Sequence, residues 1–147
     1  MYKKILAALE NGRADQALLP HISQLAKLLG SELLLVHVAD GWVARNYERL
    51  NLAESEEMRA DRAYLDHKAA ELRERGIKVT ACLALGDPAT QILKIAEREN
   101  CDLIAMTSHG HRFLADLVLG STIHEVRHKT TIPVLLVRAS PSGQARQ

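Results

Sequence analysis

Thr107-Ser108-His109-Gly110, followed after nine intervening residues by Gly120-Ser121, is the stretch on which the reading of this chain turns. It comes after the apolar run Leu103-Ile104-Ala105-Met106 and before another, Ile132 to Val137. Gly110 lets a loop leave the carboxyl end of a buried strand, and Gly120-Ser121 is placed to open a helix with Ser121 as its cap. The N–H groups at a helix start are unpaired and carry the positive end of the helix dipole, so they attract phosphate. The two glycine positions therefore read as a phosphate cradle straddling a loop. The plainer alternative is that Gly110 only ends a strand and Gly120 only starts a helix, and spacing alone does not choose between them. The pattern is not the Rossmann fingerprint, whose glycines fall within six residues, and no Gly-Lys-Ser/Thr of a P-loop follows.

Four more strand-length apolar runs can be read outward from this stretch, apart from Ile132 to Val137. They are Ile5 to Leu9, Leu33 to Val38 with His37 inside it, Ile77 to Leu83, and Leu103 to Met106 itself. Most are apolar on both faces, as strands of a buried parallel sheet are. The segments between them have helical spacing. Ala17, Leu18, Ile22, Leu25, Ala26 and Leu29 form one stripe, with Gly30 as a stop and Pro20 needing a first-turn position or a small kink. Met58, Leu65, Ala69 and Leu72 form a second, ending at Gly76. Asp87-Pro88 is an N-cap followed by a first-turn proline, and the helix after it puts Ile92, Ile95 and Ala96 on one face. The fourth helix buries Ile123 and Val126. Alternation of this kind predicts a single doubly wound α/β domain, Rossmann-like, with a five-stranded parallel sheet and about four helices. Ligands of such sheets bind beyond the carboxyl ends of the strands, where the winding reverses, and the glycine loop follows the fourth strand.

Composition narrows the functional classes. The chain has 147 residues, 47% of them apolar and only 3% aromatic, so its core is aliphatic. A formal charge of +1 supplies no general attraction to nucleic acid or to an anionic membrane. No apolar run is long enough to span a membrane, and Met1-Tyr2-Lys3-Lys4 leads straight into a strand, so a cytoplasmic protein is expected. Cys82 and Cys101 lack ligand spacing and read as reduced core residues. His124 and His128, four apart on a helix, are half of a zinc site that nothing completes, so no metal centre is expected. His37 reads as a hydrogen-bonded core residue, and His109 as one that shapes the loop. No Gly-x-Ser-x-Gly elbow, HExxH motif or placed nucleophile and base points to catalysis.

The start Tyr2-Lys3-Lys4-Ile5-Leu6, the segment from Gly86-Asp87-Pro88 to Cys101-Asp102-Leu103-Ile104, and the segment from Met106 through Gly120-Ser121 to Ile132-Pro133-Val134-Leu135-Leu136-Val137 resemble the universal stress protein family. The resemblance covers residues 1–139 and leaves Ser140 to Gln147 as a disordered tail. It implies the strand order 3-2-1-4-5 and a homodimer paired along the last strand, Ile132 to Val137. One branch of the family binds ATP through Gly-x-x-Gly, nine residues, then Gly-Ser/Thr, and another lacks the glycines. Gly110, Gly120 and Ser121 match the binding branch, and Thr107 occupies the place of its first glycine. A negative φ at Thr107 leaves its hydroxyl free to contact phosphate. A positive φ costs roughly 1 kcal/mol or more. Adenine falls near Val38, and Ala8, Leu9 and Glu10 stand where the family has Pro-Thr-Asp, with Glu10 keeping the acid toward the ribose.

The nucleotide contacts implied are Ala8, Leu9, Glu10, Val38, Met106, Thr107, His109, Gly110, Arg112, Gly120, Ser121 and Thr122. Arg112, Arg127 and Lys129 flank the glycine loop and either neutralise phosphate or keep the surface soluble, and Arg112, two residues past Gly110, is the foremost phosphate candidate. Asp116 either holds Mg²⁺ or faces water, and Trp42 and Tyr47 either cover a base or pack on a partner. The function expected is a stress-response homodimer that takes ATP, with or without Mg²⁺, as a regulatory ligand and signals to a protein partner. Two alternatives accompany it: an interaction module of the same fold that binds no nucleotide, and a slow ATPase.

Overall fold

A computed structural model gives the fold and describes residues 1–39, 56–109 and 117–139. Strand and helix alternate through it: β1 (Lys4–Ala8), α1 (Asp15–Leu29), β2 (Glu32–Ala39), α2 (Glu56–Glu74), β3 (Val79–Leu85), α3 (Pro88–Arg98), β4 (Leu103–His109), α4 (Leu117–Lys129) and β5 (Val134–Ala139). The five strands form one sheet in the order β3-β2-β1-β4-β5, and every pairing is parallel. The expected architecture and strand order are both found.

Period-two alternation sorts each strand between two cores. On one face Ile5, Ala7, Leu33, Leu35, Leu103 and Ala105 pack with Leu18, Ile22 and Ala26 of α1 and Leu65, Ala69 and Leu72 of α2. On the other, Leu6, Leu34, Val36, Ile104 and Met106 pack with Ala89, Ile92, Ile95 and Ala96 of α3 and with Val126 of α4. Each fully buried Leu, Ile or Val contributes about 1.5–3 kcal/mol relative to exposure. The helices change face between β1 and β4, so the winding reverses there. The carboxyl ends of β1 and β4 diverge toward opposite loops and leave a crevice between them.

Local chemistry sets the element boundaries. α2 ends as its composition predicts: Gly76 takes φ 86°, its N–H bonds the Arg73 carbonyl, and the Ile77 N–H bonds the Leu72 carbonyl at 3.2 Å. This is a Schellman closure, so Ile77 belongs to the helix exit and β3 starts at Val79, not at Ile77 as expected. β5 likewise starts at Val134, since Pro133 has no N–H and the Ile132 N–H is taken by Thr130 Oγ1 at 3.0 Å. Pro20 is the sixth residue of α1, not a first-turn residue. Both Pro20 and Gln16, whose carbonyl loses its ladder partner to the proline, are exposed residues, so solvent reaches this stretch of the helix. Leu29, expected on the apolar stripe of α1, is 41% exposed, whereas Leu18 and Ile22 are fully buried.

Candidate functional site

A cleft opens at the carboxyl end of the sheet, at the reversal between β1 and β4. It is lined by Ala8, Leu9 and Glu10 after β1, by Val36, His37 and Val38 of β2, by Met106 and Thr107 of β4, by Pro88 and Ile92 of α3, and by Thr122 and Ile123 of α4. The cavity is about 80 Å³. Its lining is mostly aliphatic, and four of its residues are of polar type: Glu10, His37, Thr107 and Thr122. An apolar slot with a few convergent polar groups suits a flat, partly polar ligand.

Of the sequence-predicted residues, the structure brings Ala8, Leu9, Glu10, Val38, Met106, Thr107 and Thr122 together around this cleft. Gly110, Arg112 and Asp116 lie outside the described residues, as do Trp42, Tyr47 and residues 140–147. The backbone of His109 is the last position of β4, paired with Ala139. Gly120 and Ser121 do not open the fourth helix, as had been expected. α4 already begins at Leu117, and Ser121 is an exposed residue within it, not its cap. Leu117 and Leu119 are good helix formers, and one interior glycine costs only about 1 kcal/mol against alanine, too little to set the boundary. Both residues still fall within the first two turns.

β4 is longer than its apolar run suggested. It continues through Thr107, which pairs with Val137 and is 5% exposed. Among the described non-glycine residues a positive φ occurs at Tyr2, Asn11 and Asn100 only, so Thr107 keeps a negative φ. Its Cβ therefore costs no backbone strain. Its Oγ1 is buried and has no hydrogen-bond partner among the described residues. A buried hydroxyl left unpaired costs about 1–3 kcal/mol, and native structures seldom carry one without a reason.

The start of α3, beside the cleft, has its own anion. Asp87 caps it, accepting from the Thr90 N–H at 3.0 Å and the Thr90 hydroxyl at 2.7 Å. These bonds, the backbone one first, hold its carboxyl below the usual carboxylate range. An added anion is repelled from that helix end.

A polar network that sequence reasoning missed holds the loop between β1 and α1. Asp15 is 1% exposed and accepts from the Glu10 N–H at 2.9 Å, the Gly12 N–H at 3.3 Å and the Tyr64 hydroxyl at 2.9 Å. His37 Nδ1 donates to the Leu9 carbonyl at 2.9 Å, and its Nε2 lies 3.5 Å from Asp61 Oδ2. Asn11 Nδ2 donates to the Asp61 carbonyl at 3.1 Å and to its Oδ1 at 3.2 Å. His37 is thus hydrogen-bonded, as its strand position suggested. Burial, followed by the Asp15 charge, raises the Tyr64 phenol above its ordinary range, so it stays a donor. The signal available in the sequence was slight, an aspartate in the first turn of an amphipathic helix.

The remaining candidates are peripheral. His124 and His128 are exposed on α4, their ring centroids 4.2 Å apart, and no group of three or more possible metal ligands occurs among the described residues. Cys101 is buried and Cys82 half-buried, both as free thiols. No described helix is long and apolar enough to cross a membrane.

Known proteins share both the sequence pattern and the fold. The pattern of the Universal stress protein family matches residues 1–138. Universal stress protein MJ0577 of Methanocaldococcus jannaschii is 30% identical, over 97% of this chain and 98% of its own length. Universal stress protein YxiE of Bacillus subtilis is 27% identical, over 94% of this chain and all of its own. A solved structure of MJ0577 superposes with a TM-score of 0.78 at 32% identity, covering 95% of this chain and 98% of that one. A universal stress protein from Archaeoglobus fulgidus in complex with dAMP shares the fold at TM-score 0.68 and 19% identity, covering 92% and 98%. Sequence pattern and fold agree, and the chain belongs to the universal stress protein family.

Proposed function

We propose that this protein binds ATP, or a closely related adenine nucleotide, in the cleft between β1 and β4 and uses it as a regulatory ligand in a cytoplasmic homodimer. The observation that carries this reading is the apolar slot at the reversal point of the sheet, one of whose lining residues, Thr107, has a buried hydroxyl with no partner among the described residues. A ligand that supplies a hydrogen-bond partner there removes the cost of leaving it unpaired. Fold relatives solved with dAMP and with cAMP support an adenine nucleotide as that ligand.

In this reading the base lies against Val38, Met106 and Ala8, with Leu9 closing one side. Glu10 accepts from the ribose hydroxyls. Thr107, Gly110, Gly120, Ser121 and Thr122 form the phosphate cradle, His109 shapes it, and Arg112 neutralises charge. Asp87 already occupies the start of α3, which favours the α4 side for phosphate. When Mg²⁺ accompanies the nucleotide, Asp116 is its candidate ligand. Nucleotide then acts by differential affinity for two states of the protein, which a partner reads.

The homodimer reading rests on β5. Among the described residues it pairs with β4 on one side and ends the sheet on the other, and Leu136 is 37% exposed. An open edge strand calls for a partner, and a second copy pairing along Ile132–Val137 supplies one.

Replacing Gly120 by Leu puts a side chain into the cradle while improving helix propensity. The expected result is a folded dimer that gives no heat on titration with Mg-ATP, and unchanged binding would refute the cradle. A second reading, an interaction module that binds no nucleotide, is favoured by Leu9, an apolar residue only 4% exposed where the family pattern has a polar one. Capture of protein partners indifferent to added ATP would support that second reading.

A further inference from the structure

One peptide unit on the cleft rim is pinned at both of its polar atoms. The Leu9 carbonyl accepts from His37 Nδ1 at 2.9 Å, and the N–H of the same peptide, that of Glu10, donates to Asp15 Oδ1 at 2.9 Å. Leu9 and Glu10 both line the cleft. Neither pinning side chain stands alone. His37 Nε2 faces Asp61 Oδ2 at 3.5 Å, and Asp15 Oδ2 accepts from the Tyr64 hydroxyl at 2.9 Å. Asp61 and Tyr64 are three residues apart on α2 and so share one face of it. A single helix face therefore reaches both ends of one peptide plane.

We propose that Asp61 and Tyr64 are positioning residues for the cleft: through His37 and Asp15 they fix the Leu9–Glu10 peptide plane and hence the direction of the Glu10 carboxylate. A peptide fixed at one atom still turns about the other, whereas one fixed at both does not. The arrangement also works in reverse. A ligand that pulls on Glu10 loads both pins, so α2 registers occupancy of the cleft although neither Asp61 nor Tyr64 lines it. Coupling of this kind needs only a continuous set of contacts and two arrangements of them. The clamp is independent of what the cleft binds. Its effect on affinity rests on the nucleotide reading above.

The test uses Tyr64→Phe, which removes one oxygen and keeps the ring beneath Lys68, and Asp61→Ala, each verified as folded by its thermal melt. Hydrogen exchange at the Glu10 amide is measured first, without ligand. Both variants are expected to speed it by about tenfold while buried Leu35 keeps its rate. An unchanged Glu10 rate overturns the proposal. The second arm titrates Mg-ATP into each variant with Glu10 present and with Glu10→Ala. Each variant is expected to weaken binding about tenfold when Glu10 is present, the scale of one hydrogen bond to a charged group, and to do nothing further once Glu10 is alanine. A loss that persists in the Glu10→Ala background overturns the positioning role. Absence of ATP binding by the unaltered protein refutes the nucleotide reading instead, and the exchange result still decides the clamp.

Discussion

Replacing Thr107 by Val should make the empty protein more stable and its cleft a poorer nucleotide site. The two side chains have the same shape, and valine suits the interior of β4 at least as well. The difference is the hydroxyl, which is buried and has no partner among the described residues. Such a group costs about 1–3 kcal/mol, so removing it returns at least the lower part of that range. A chain of 147 residues melts with an entropy near 0.3 kcal/mol/K, so a gain of about 1–2 kcal/mol raises Tm by about 3–6 °C. Affinity should change in the opposite sense. One lost hydrogen bond of about 0.5–1.5 kcal/mol weakens binding roughly two- to twelvefold. Differential scanning calorimetry on nucleotide-free protein reads the first quantity, and titration with Mg-ATP reads the second. A lower Tm for the valine variant would mean that the hydroxyl has a partner within the protein. Equal affinity would mean that it does not meet the ligand. Either result would refute the reasoning.

Two other perturbations test the local chemistry. Asp87→Ala removes the α3 cap and should cost about 1 kcal/mol in a denaturant melt at neutral pH. The folded-state pKa of Asp87 is lowered, so the cap's contribution is fully present above the ordinary carboxylate range, near pH 4, and is lost as pH falls through the lowered folded value. Wild type and variant should therefore converge in stability at low pH, and a gap that stays constant to pH 2 would contradict the charge-assisted cap. Burial pushes the Cys101 thiol up to about 11, which leaves roughly one molecule in a thousand as thiolate at pH 8. Iodoacetamide at that pH should label half-buried Cys82 first, as mass spectrometry of the digested protein would show, and preferential labelling of Cys101 would contradict its assigned burial.

What the sequence made legible was local. Helical spacing predicted that Met58, Leu65, Ala69 and Leu72 face inward, and these are the residues of α2 that are buried. Asp87-Pro88 predicted a capped start, and the cap bond is there at 3.0 Å. The strand order came from a family resemblance, since five apolar runs do not by themselves say which strand neighbours which. The misread parts depend on contacts between distant residues. β4 continues past its apolar run because the ladder with β5 holds Thr107 and Ser108 opposite Val137 and Arg138. Gly120-Ser121 was read as a helix start because glycine and serine favour ends, but Leu117, Val118 and Leu119 carry the helix across them. The clamp on the Leu9–Glu10 peptide joins Asp15 to Tyr64, 49 residues away, a pairing that no local pattern announces.

The cleft assignment also explains how the departures from the family pattern fit together. Thr107 keeps an extended backbone where the pattern has glycine, and brings a buried hydroxyl to a residue that lines the cleft. Leu9 replaces a polar side chain with an apolar one, but its backbone carbonyl still serves, as the anchor for His37. Glu10 keeps the negative charge at the rim, with its amide fixed by Asp15. The most direct test of the nucleotide claim is to denature the protein as purified and analyse what it releases by chromatography and mass. The account predicts an adenine nucleotide in near-stoichiometric yield. An empty protein that then gives no heat on titration with Mg-ATP would contradict it.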